Sequence, residues 1–553
     1  MNKLFFYNPL TIRRLTNHVK SVYYIGINYR VKNKLNKKGI NQIDISNLLS
    51  KVADEIKYDF INYITSIGRM QNNQLIWWAT RIASKNNSQT DFFSILCFII
   101  SVKKLIESNK FAVFLTNDPR IYFTLKNNFN LQNTTLSTIS ATALFFLQIV
   151  TKILKNPISK LIWIFKTFYK NIKFKKILNK TDQKGNFIYS WVENRSFSKG
   201  YYDDPYLPGI DYYKSSIPYI VFVPYYVNSC LYVKLKSANK MFSGLPIFSN
   251  WLVILKSIFF ILKINYNISY KNLEISYLWL YEILRENCSS HFTQQIHDYF
   301  CWEKFFRSNK GRLIYPYESQ PWEKMMILAA RSESSKMELI GYQHSTVGKN
   351  ILNYHTTAEE LFLIPLPDLI VVNSTFNKEM FERQYKNSEV KIINGGALRY
   401  MEKVKLTVTV KTKKILGIML PVDKNQAFEL LDHIINIGER KFDIVVKSHP
   451  DLSINKRHYL NRIQFFQGSA IELYRIADGV VYCYSTAGLE AYSYGLPVFR
   501  YSGNFIDLQM GEYMFSPKII RSLDEISENE LFLHQPKKVF SPVDHSVWES
   551  LLN

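Results

Sequence analysis

The chain has 553 residues, 70 Lys+Arg against 45 Asp+Glu, and a formal charge of +25. That length exceeds one hydrophobic core and predicts two or more domains. Hydrophobic residues make up 47% and charged residues 21%, which excludes extended disorder, while the positive surplus points to an anionic partner: lipid headgroups, a phosphorylated substrate or nucleic acid. Five cysteines, Cys97, Cys230, Cys288, Cys301 and Cys483, show no C-x-x-C spacing, which argues against a disulfide framework or a structural zinc site. The first 20 residues lack the apolar stretch of a signal peptide, so a cytoplasmic location is expected.

Along the chain the first apolar strand is predicted at 111–116. No uninterrupted apolar run of about 18 residues occurs, and no spanning helix is expected. Residues 151–180 instead carry nine lysines and no acid, interleaved with Ile158, Leu161, Ile162, Trp163, Phe165 and Phe168. This pattern predicts a cationic amphipathic helix in a membrane interface, with Trp163 at headgroup depth and the 141–150 stretch continuing it around a break at Pro157. A second apolar piece, 251–264, with Lys256 and Lys263, reads as core, with a place in the same membrane footprint as the alternative.

Aromatic and acidic residues gather next, in Trp191, Glu193 and Arg195 and then Asp203 and Asp204. Rings stack on the CH faces of a sugar and carboxylates bond its hydroxyls, so these residues are acceptor-site candidates. Strands are predicted at 219–223, 312–315, 338–342, 368–373 and 390–394. Glu318, at a strand end near Trp322, is a candidate base, because an apolar ring raises a carboxyl toward the working range. Gln343 and His344 end the following strand and are placed on the acceptor side. Glu323 is expected to cap its own helix.

Gly395-Gly396 and the basic 403–414 stretch divide the chain into 1–400 and 401–553. The second part predicts strands at 415–420, 442–447, 480–484 and 497–501, alternating with helices at 426–440, 470–477 and 487–494, the mark of a parallel α/β domain. It contains no G-x-G-x-x-G, P-loop, H-E-x-x-H, G-x-S-x-G or D-x-D signature, which lowers the standing of P-loop, zinc-protease and hydrolase chemistry. Two strand ends carry polar groups instead. Lys447 and His449 precede the turn at Pro450 and are suited to neutralising a phosphate on a leaving group, with His449 also a catalytic candidate as its proton donor. Ser485 and Thr486 open a helix whose N-terminus attracts a phosphate, Gly488 permits close approach, and Glu490 is placed to accept from a ribose.

Trp77-Trp78 with Ser84-Lys-Asn86, the block from Trp191 to Ser196, Glu318 to Glu323, Gln343-His344, His449-Pro450 and Ser485-Thr486 with Glu490 together resemble a family of bacterial surface-carbohydrate (capsule or O-antigen) biosynthesis glycosyltransferases of GT-B fold. The His-Pro and Ser-Thr pair is also similar to bacterial polysialyltransferases, capsule Kdo transferases and polyol-phosphate polymerases. The resemblance implies two Rossmann-like domains facing a cleft, a CMP-sugar donor as co-substrate with no further cofactor and no metal, and His449, Ser485 and Thr486 at the donor phosphate, with Glu490 toward the nucleotide. The acidic pair followed by Gly of the polysialyltransferases has no counterpart here, so Glu318 as base rests on its own surroundings.

The expected protein is therefore an α/β, GT-B-like glycosyltransferase at the cytoplasmic face of the inner membrane. Its expected partners are a nucleotide-sugar donor, a glycan or lipid-linked acceptor and an anionic membrane surface, with no nucleic acid. Polyol-phosphate transfer, and a non-catalytic basic membrane- or nucleic-acid-binding protein, are the alternatives.

Overall fold

A computed structural model describes residues 2–553 except 72, 109–110, 178–183, 198–199, 214–216, 223–228, 239, 264–267, 401–412, 438–440, 451, 453, 455–458, 504–514 and 537–538. The basic stretch expected to separate the domains lies almost wholly outside the described residues.

The described strands build three parallel sheets. The first contains β1 (Lys3–Phe6), β2 (Ser21–Tyr24), β3 (Asn41–Gln42) and β4 (Val113–Thr116), in the order β1-β4-β2-β3. The second contains β5 (Lys184–Trp191), β6 (Tyr219–Phe222) and β7 (Phe242–Ser243). A small antiparallel hairpin, β8 (Ser269–Tyr270) with β9 (Leu273–Glu274), intervenes before β10 (Lys310–Pro316), β11 (Met337–Gln343), β12 (Leu369–Val372) and β13 (Lys391–Asn394). Its order is β7-β6-β5-β10-β11-β12-β13. The third contains β14 (Ile415–Met419), β15 (Asp443–Lys447), β16 (Gln464–Phe465), β17 (Gly479–Tyr482), β18 (Val498–Tyr501) and β19 (Lys518–Ile520), in the order β16-β15-β14-β17-β18-β19.

The second and third sheets share one winding rule. Each starts at an inner strand, grows outward through two neighbours, then returns to the other side of the first strand, the 3-2-1-4-5-6 order of doubly wound Rossmann-like units. The direction reverses between β5 and β10 in one sheet and between β14 and β17 in the other. Their central strands are buried on both faces, as in β12 and β17 where every residue is buried, which is why they read as unbroken apolar runs. The expected α/β architecture with two Rossmann-like units is thus present. The first 400 residues hold an additional four-stranded unit, of which β4 lies within the strand predicted at 111–116, while β1, β2 and β3 are too short and too mixed in polarity to stand out in the sequence.

The helices used below are α1 (Tyr29–Lys37), α2 (Ser46–Met70), α3 (Phe92–Ser108), α4 (Thr135–Ile177), α5 (Trp251–Ile258), α6 (Ser276–Asn287), α7 (Ser290–Ser308), α8 (Pro321–Ser332), α9 (Lys424–Asn436), α10 (Ala470–Ile476), α11 (Thr486–Ser493) and α12 (His545–Leu552). The N-terminal unit shares one core with α2, α3 and α6. A buried ionic cluster reinforces the join, with Arg120 reaching Asp91 and Asp118 at 2.6 Å each and Glu282 at 3.3 Å. Buried Lys85 pairs with Glu360, and Trp77 and Trp78 are core residues, so this tryptophan and lysine block braces the fold. The N-terminal unit also touches the third sheet's unit, where Asn33 Nδ2 donates to Asp432 Oδ2 on α9 at 2.7 Å.

The C-terminus returns to the second sheet. Trp548 of α12 is buried against Tyr342 and donates to the Gly395 carbonyl at 2.8 Å. Gly396 has φ +75, and a Cβ there would strike the Pro542 carbonyl of the returning chain. The Gly-Gly pair therefore serves this crossing, and the last helix packs with the second sheet's core although it follows the third in sequence.

The basic segment departs from expectation in three ways. It is one helix, α4, continuous through Pro157, whose exposed position leaves the lost backbone bond on the open side. The stretch Thr135–Ile172 is long and apolar enough to cross a membrane by length and composition. Trp163 does not sit at the surface: it is 3% exposed, and its Nε1 donates to Gln294 Oε1 on α7 at 2.6 Å. The 251–264 stretch, in turn, is only half core. Val253 and Ile254 are buried, whereas Trp251, Leu252, Leu255 and Phe259 are exposed.

Candidate active site

In doubly wound sheets ligands bind beyond the carboxyl ends of the strands, at the reversal of strand order. Two such places exist here. The first lies after β5 and β10. Strand β5 delivers Trp191, Glu193 and Arg195, β10 delivers Glu318, and neighbouring β11 delivers His344. Glu318 sits in the tight link between β10 and α8, where Ser319 holds a left-handed φ of +54, uncommon for a non-glycine residue. Glu323 supports that link, its Oε1 accepting from the backbone N–H groups of Glu318 and Gln320 at 2.9 Å each. This is the local capping role the sequence predicts.

Glu318 Oε1 lies 3.4 Å from His344 Nε2. The carboxyl keeps 31% of its side-chain exposure, yet the protein around it strips enough hydration to push it from 4.5 up to about 7, opposed by the Arg399 guanidinium. Burial, with Arg399 and Arg195 beside it, pushes the His344 imidazole down to about 3, so the ring is neutral near pH 7. The pair is thus a carboxyl poised near neutrality against an uncharged imidazole. The ring is held edge-on by Tyr206, with centroids 5.1 Å apart.

Glu193 and Arg195 form the wall beside this pair. Arg195 Nε donates to Glu193 Oε2 at 2.7 Å, and the Tyr206 hydroxyl donates to Glu193 Oε1 at 2.6 Å. Trp191 meets Trp322 and Tyr206 edge-on at 4.8 and 5.2 Å. Two acceptor candidates do not join them. Asp204 is buried, its Oδ1 accepting from the N–H groups of Tyr206 and Leu207 and its Oδ2 from the Tyr202 hydroxyl. Gln343 is fully buried, and its Oε1 accepts from the Asn377 side chain at 3.2 Å and the Asn373 N–H at 3.4 Å. Both shape the loops that carry Tyr206 and His344, and neither faces the cleft.

Asp203 lines a cavity of about 840 Å³ between the two Rossmann-like units. Tyr201, Tyr202, Lys234, Lys240 and Arg399 line it from one side, and Ile471 and Tyr494 from the other. Arg399 therefore belongs both to this cavity and to the surroundings of Glu318, and it was not singled out from sequence. It follows the end of β13 in a turn fixed by Tyr342, whose hydroxyl accepts from Leu398 N at 2.9 Å and donates to the Gly396 carbonyl at 3.2 Å. A lone arginine just past a strand's carboxyl end was the available signal.

The second place lies after β14 and β17. Ser485 is the N-cap of α11 in extended conformation, yet its hydroxyl makes no capping bond and no hydrogen bond among the described residues. The hydroxyl and the free N–H groups at the α11 N-terminus are the groups that would receive an anion here. Lys447 and His449 stand at the end of β15, beside β14. The Lys447 ammonium reaches the Gly468 carbonyl, and His449 is half-buried, its backbone carbonyl accepting from Leu452 N at 3.0 Å. Glu490 Oε2 accepts from the Tyr474 hydroxyl at 3.2 Å, which ties α11 to α10. Gly488 serves packing: a Cβ there would come within 2.6 Å of the Tyr482 ring.

Thr346 Oγ1, two residues beyond His344, lies 3.4 Å from Thr486 Oγ1. The loop beside the first reversal thus meets the helix end at the second across the cleft.

No family model matches the chain, and no curated protein matches it. Among solved structures it is similar to CalG4, the calicheamicin glycosyltransferase, at 10% identity over 67% of this chain and 92% of that chain, with a TM-score of 0.35. It is also similar to MurG of Acinetobacter baumannii, at 10% identity over 63% and 88% with a TM-score of 0.32. The wall teichoic acid polymerase TagF overlaps at 9% identity over 74% and 91%, with a TM-score of 0.31. At TM-scores this low the overlaps carry no weight, and the fold assignment rests on the strand orders above.

Proposed function

We propose that this chain is a GT-B-type glycosyltransferase that moves a sugar from a nucleotide-activated donor to a glycan or lipid-linked acceptor in bacterial surface-polysaccharide synthesis, at an anionic membrane surface. The observation that carries this reading is the approach of two strand ends across the cleft, one with the unbonded Ser485 hydroxyl at a helix N-terminus and the other with a carboxyl poised near neutrality. Such a layout suits a reaction that needs a phosphate leaving group on one side and proton transfer on the other.

In this reading the donor's phosphates lie on the Ser485 hydroxyl and the N-terminus of α11. Lys447 and His449 neutralise the charge that develops as the bond from anomeric carbon to phosphate oxygen breaks. The acceptor enters through the 840 Å³ cavity, with Tyr201, Tyr202 and Asp203 contacting its sugars. Its hydroxyl gives a proton to the Glu318 carboxylate as the new bond to the anomeric carbon forms. Neutral His344 orients Glu318 without adding a second positive charge, and Arg399 keeps the carboxyl from rising further. Side chains rather than a metal stabilise the leaving phosphate.

A CMP-sugar carrying a sialic-acid-like or Kdo-like residue is the donor proposed first, and a CDP-polyol is the alternative. Single-turnover assays with radiolabelled CMP-, UDP- and GDP-sugars and CDP-polyols test this. Transfer from a CDP-polyol alone would replace the sugar donor, and consumption of none of them by folded protein would remove the transferase reading.

A further inference from the structure

We propose that α4 and α5 form a two-helix platform by which the protein lies on an anionic bilayer, with α4 parallel to the membrane plane instead of across it. This deepens the membrane-surface reading above and rests on it. Leu154, Ile158, Leu161, Phe165, Phe168 and Ile172 all point outward from α4. They recur at three- and four-residue spacing, which makes one continuous stripe along the helix. On α5, Trp251, Leu252 and Leu255 are exposed at 56, 67 and 48%, and Phe259 just beyond the helix at 77%. The two stripes are joined where the Phe168 and Trp251 rings stack, centroids 5.4 Å apart.

The opposite face of α4 is docked near its start and again from Trp163 onward. Ala141 and Phe145 are buried near its start, Trp163 bonds Gln294, and the Asn171 side chain donates to the Ser249 carbonyl at 3.0 Å near its end. A helix of 43 residues is about 65 Å long at ~1.5 Å per residue, roughly twice the ~30 Å hydrocarbon core. Crossing a bilayer would pull these buried contacts apart. Lying flat keeps them and places the whole apolar stripe at the boundary between headgroups and acyl chains.

Charge selects the occupant. No acidic residue occurs between Asp118 and Asp182, or between Asp211 and Glu274, so neither helix carries an acid. Lys155, Lys166, Lys256 and Lys263 are exposed, positioned to meet anionic headgroups. A second copy of the chain docked symmetrically on this face would set lysines against lysines.

Flotation of the full-length protein with phosphatidylcholine vesicles, with and without phosphatidylglycerol, tests the platform. The wild type should float with the anionic vesicles, and Leu252→Ser/Phe259→Ser and Phe165→Ser/Phe168→Ser should each cut the bound fraction by at least about tenfold. Undiminished flotation of the Leu252/Phe259 variant would overturn the role of α5. A lipid-free dimer, dissolved by either pair in sedimentation velocity, would give this face to a second copy and overturn the proposal. A fluorophore on Leu161→Cys should be quenched by lipids labelled near the headgroup, and quenching confined to labels at the bilayer centre would overturn the parallel orientation. No sugar donor enters these assays. Donor turnover without flotation would therefore remove the platform alone, and flotation without turnover the transferase reading alone.

Discussion

The Thr346 hydroxyl in the loop after β11 lies 3.4 Å from the Thr486 hydroxyl in the first turn of α11. This contact joins the loop that carries His344 to the helix end that carries Ser485. Thr346 is 1% exposed, so a change at either residue is felt in both halves of the cleft. Thr346→Val, Thr486→Val and the double variant form a cycle in which donor affinity is measured by calorimetry. A coupling of about 0.5–1.5 kcal/mol is expected, the size of one hydrogen bond. Additive effects would mean that the two loops act independently.

Glu318→Gln should lower transfer at least about a hundredfold while donor affinity holds, because a neutral amide cannot take the acceptor's proton. In the wild type the base form accumulates as pH rises through about 7, so the rate should climb between about pH 6 and about pH 8. Stability runs the other way. The folded-state value is raised above the unfolded one, so this group's contribution is fully present below the unfolded value and is lost as pH rises through about 7. Glu318→Gln should therefore raise Tm relative to wild type on the alkaline side of that value and leave it unchanged in acid. Equal Tm differences at both ends would show that the carboxyl is not strained by its site.

Arg399 opposes the upward push on Glu318. Its removal in Arg399→Ala should move the midpoint of the pH–rate profile upward, and Arg399→Lys should restore part of the shift. A midpoint that stays in place would detach Arg399 from the carboxyl and leave it only as a wall of the cavity.

Asp204 and Asp203 are neighbours with separate fates. Asp204→Ala removes the acceptor for two backbone N–H groups and a tyrosine hydroxyl. It should cost about 1–3 kcal/mol in chemical denaturation without a specific effect on donor affinity. Asp203→Ala, which removes a longer bond from the Gly209 N–H at 3.4 Å, should cost less stability than Asp204→Ala and raise the acceptor KM. Reversed effects would place Asp204 in the cleft.

The parallel strands were legible because a strand buried on both faces must be an apolar run. Asp443–Lys447 and Met337–Gln343 stand within a residue or two of their predicted bounds. Strand β5 was not read as a strand: it begins beside the lysine-rich segment and carries Ser190, a polar residue that is fully buried in the fold. Its end, however, supplied Trp191, Glu193 and Arg195 as candidates by chemistry alone. The misassigned residues share one cause. A carboxylate such as Asp204, an amide such as Gln343 and a ring such as Trp163 can face a ligand or satisfy the protein's own backbone and core, and only three-dimensional partners distinguish the two. Arg399 carried only the weak signal of its place past a strand end, since its neighbours Glu318 and His344 lie far away in sequence.

Donor consumption by the purified chain beside Ser485→Ala and His449→Ala, with folding of each checked by circular dichroism, tests the donor site directly. The Ser485 hydroxyl makes no bond within the described fold, so its removal should leave stability unchanged. One nucleotide-activated donor should be consumed by the wild type, and each variant should lose at least about a hundredfold in turnover, as removal of a group that stabilises transition-state charge does. Normal transfer by both variants would contradict the donor-site assignment.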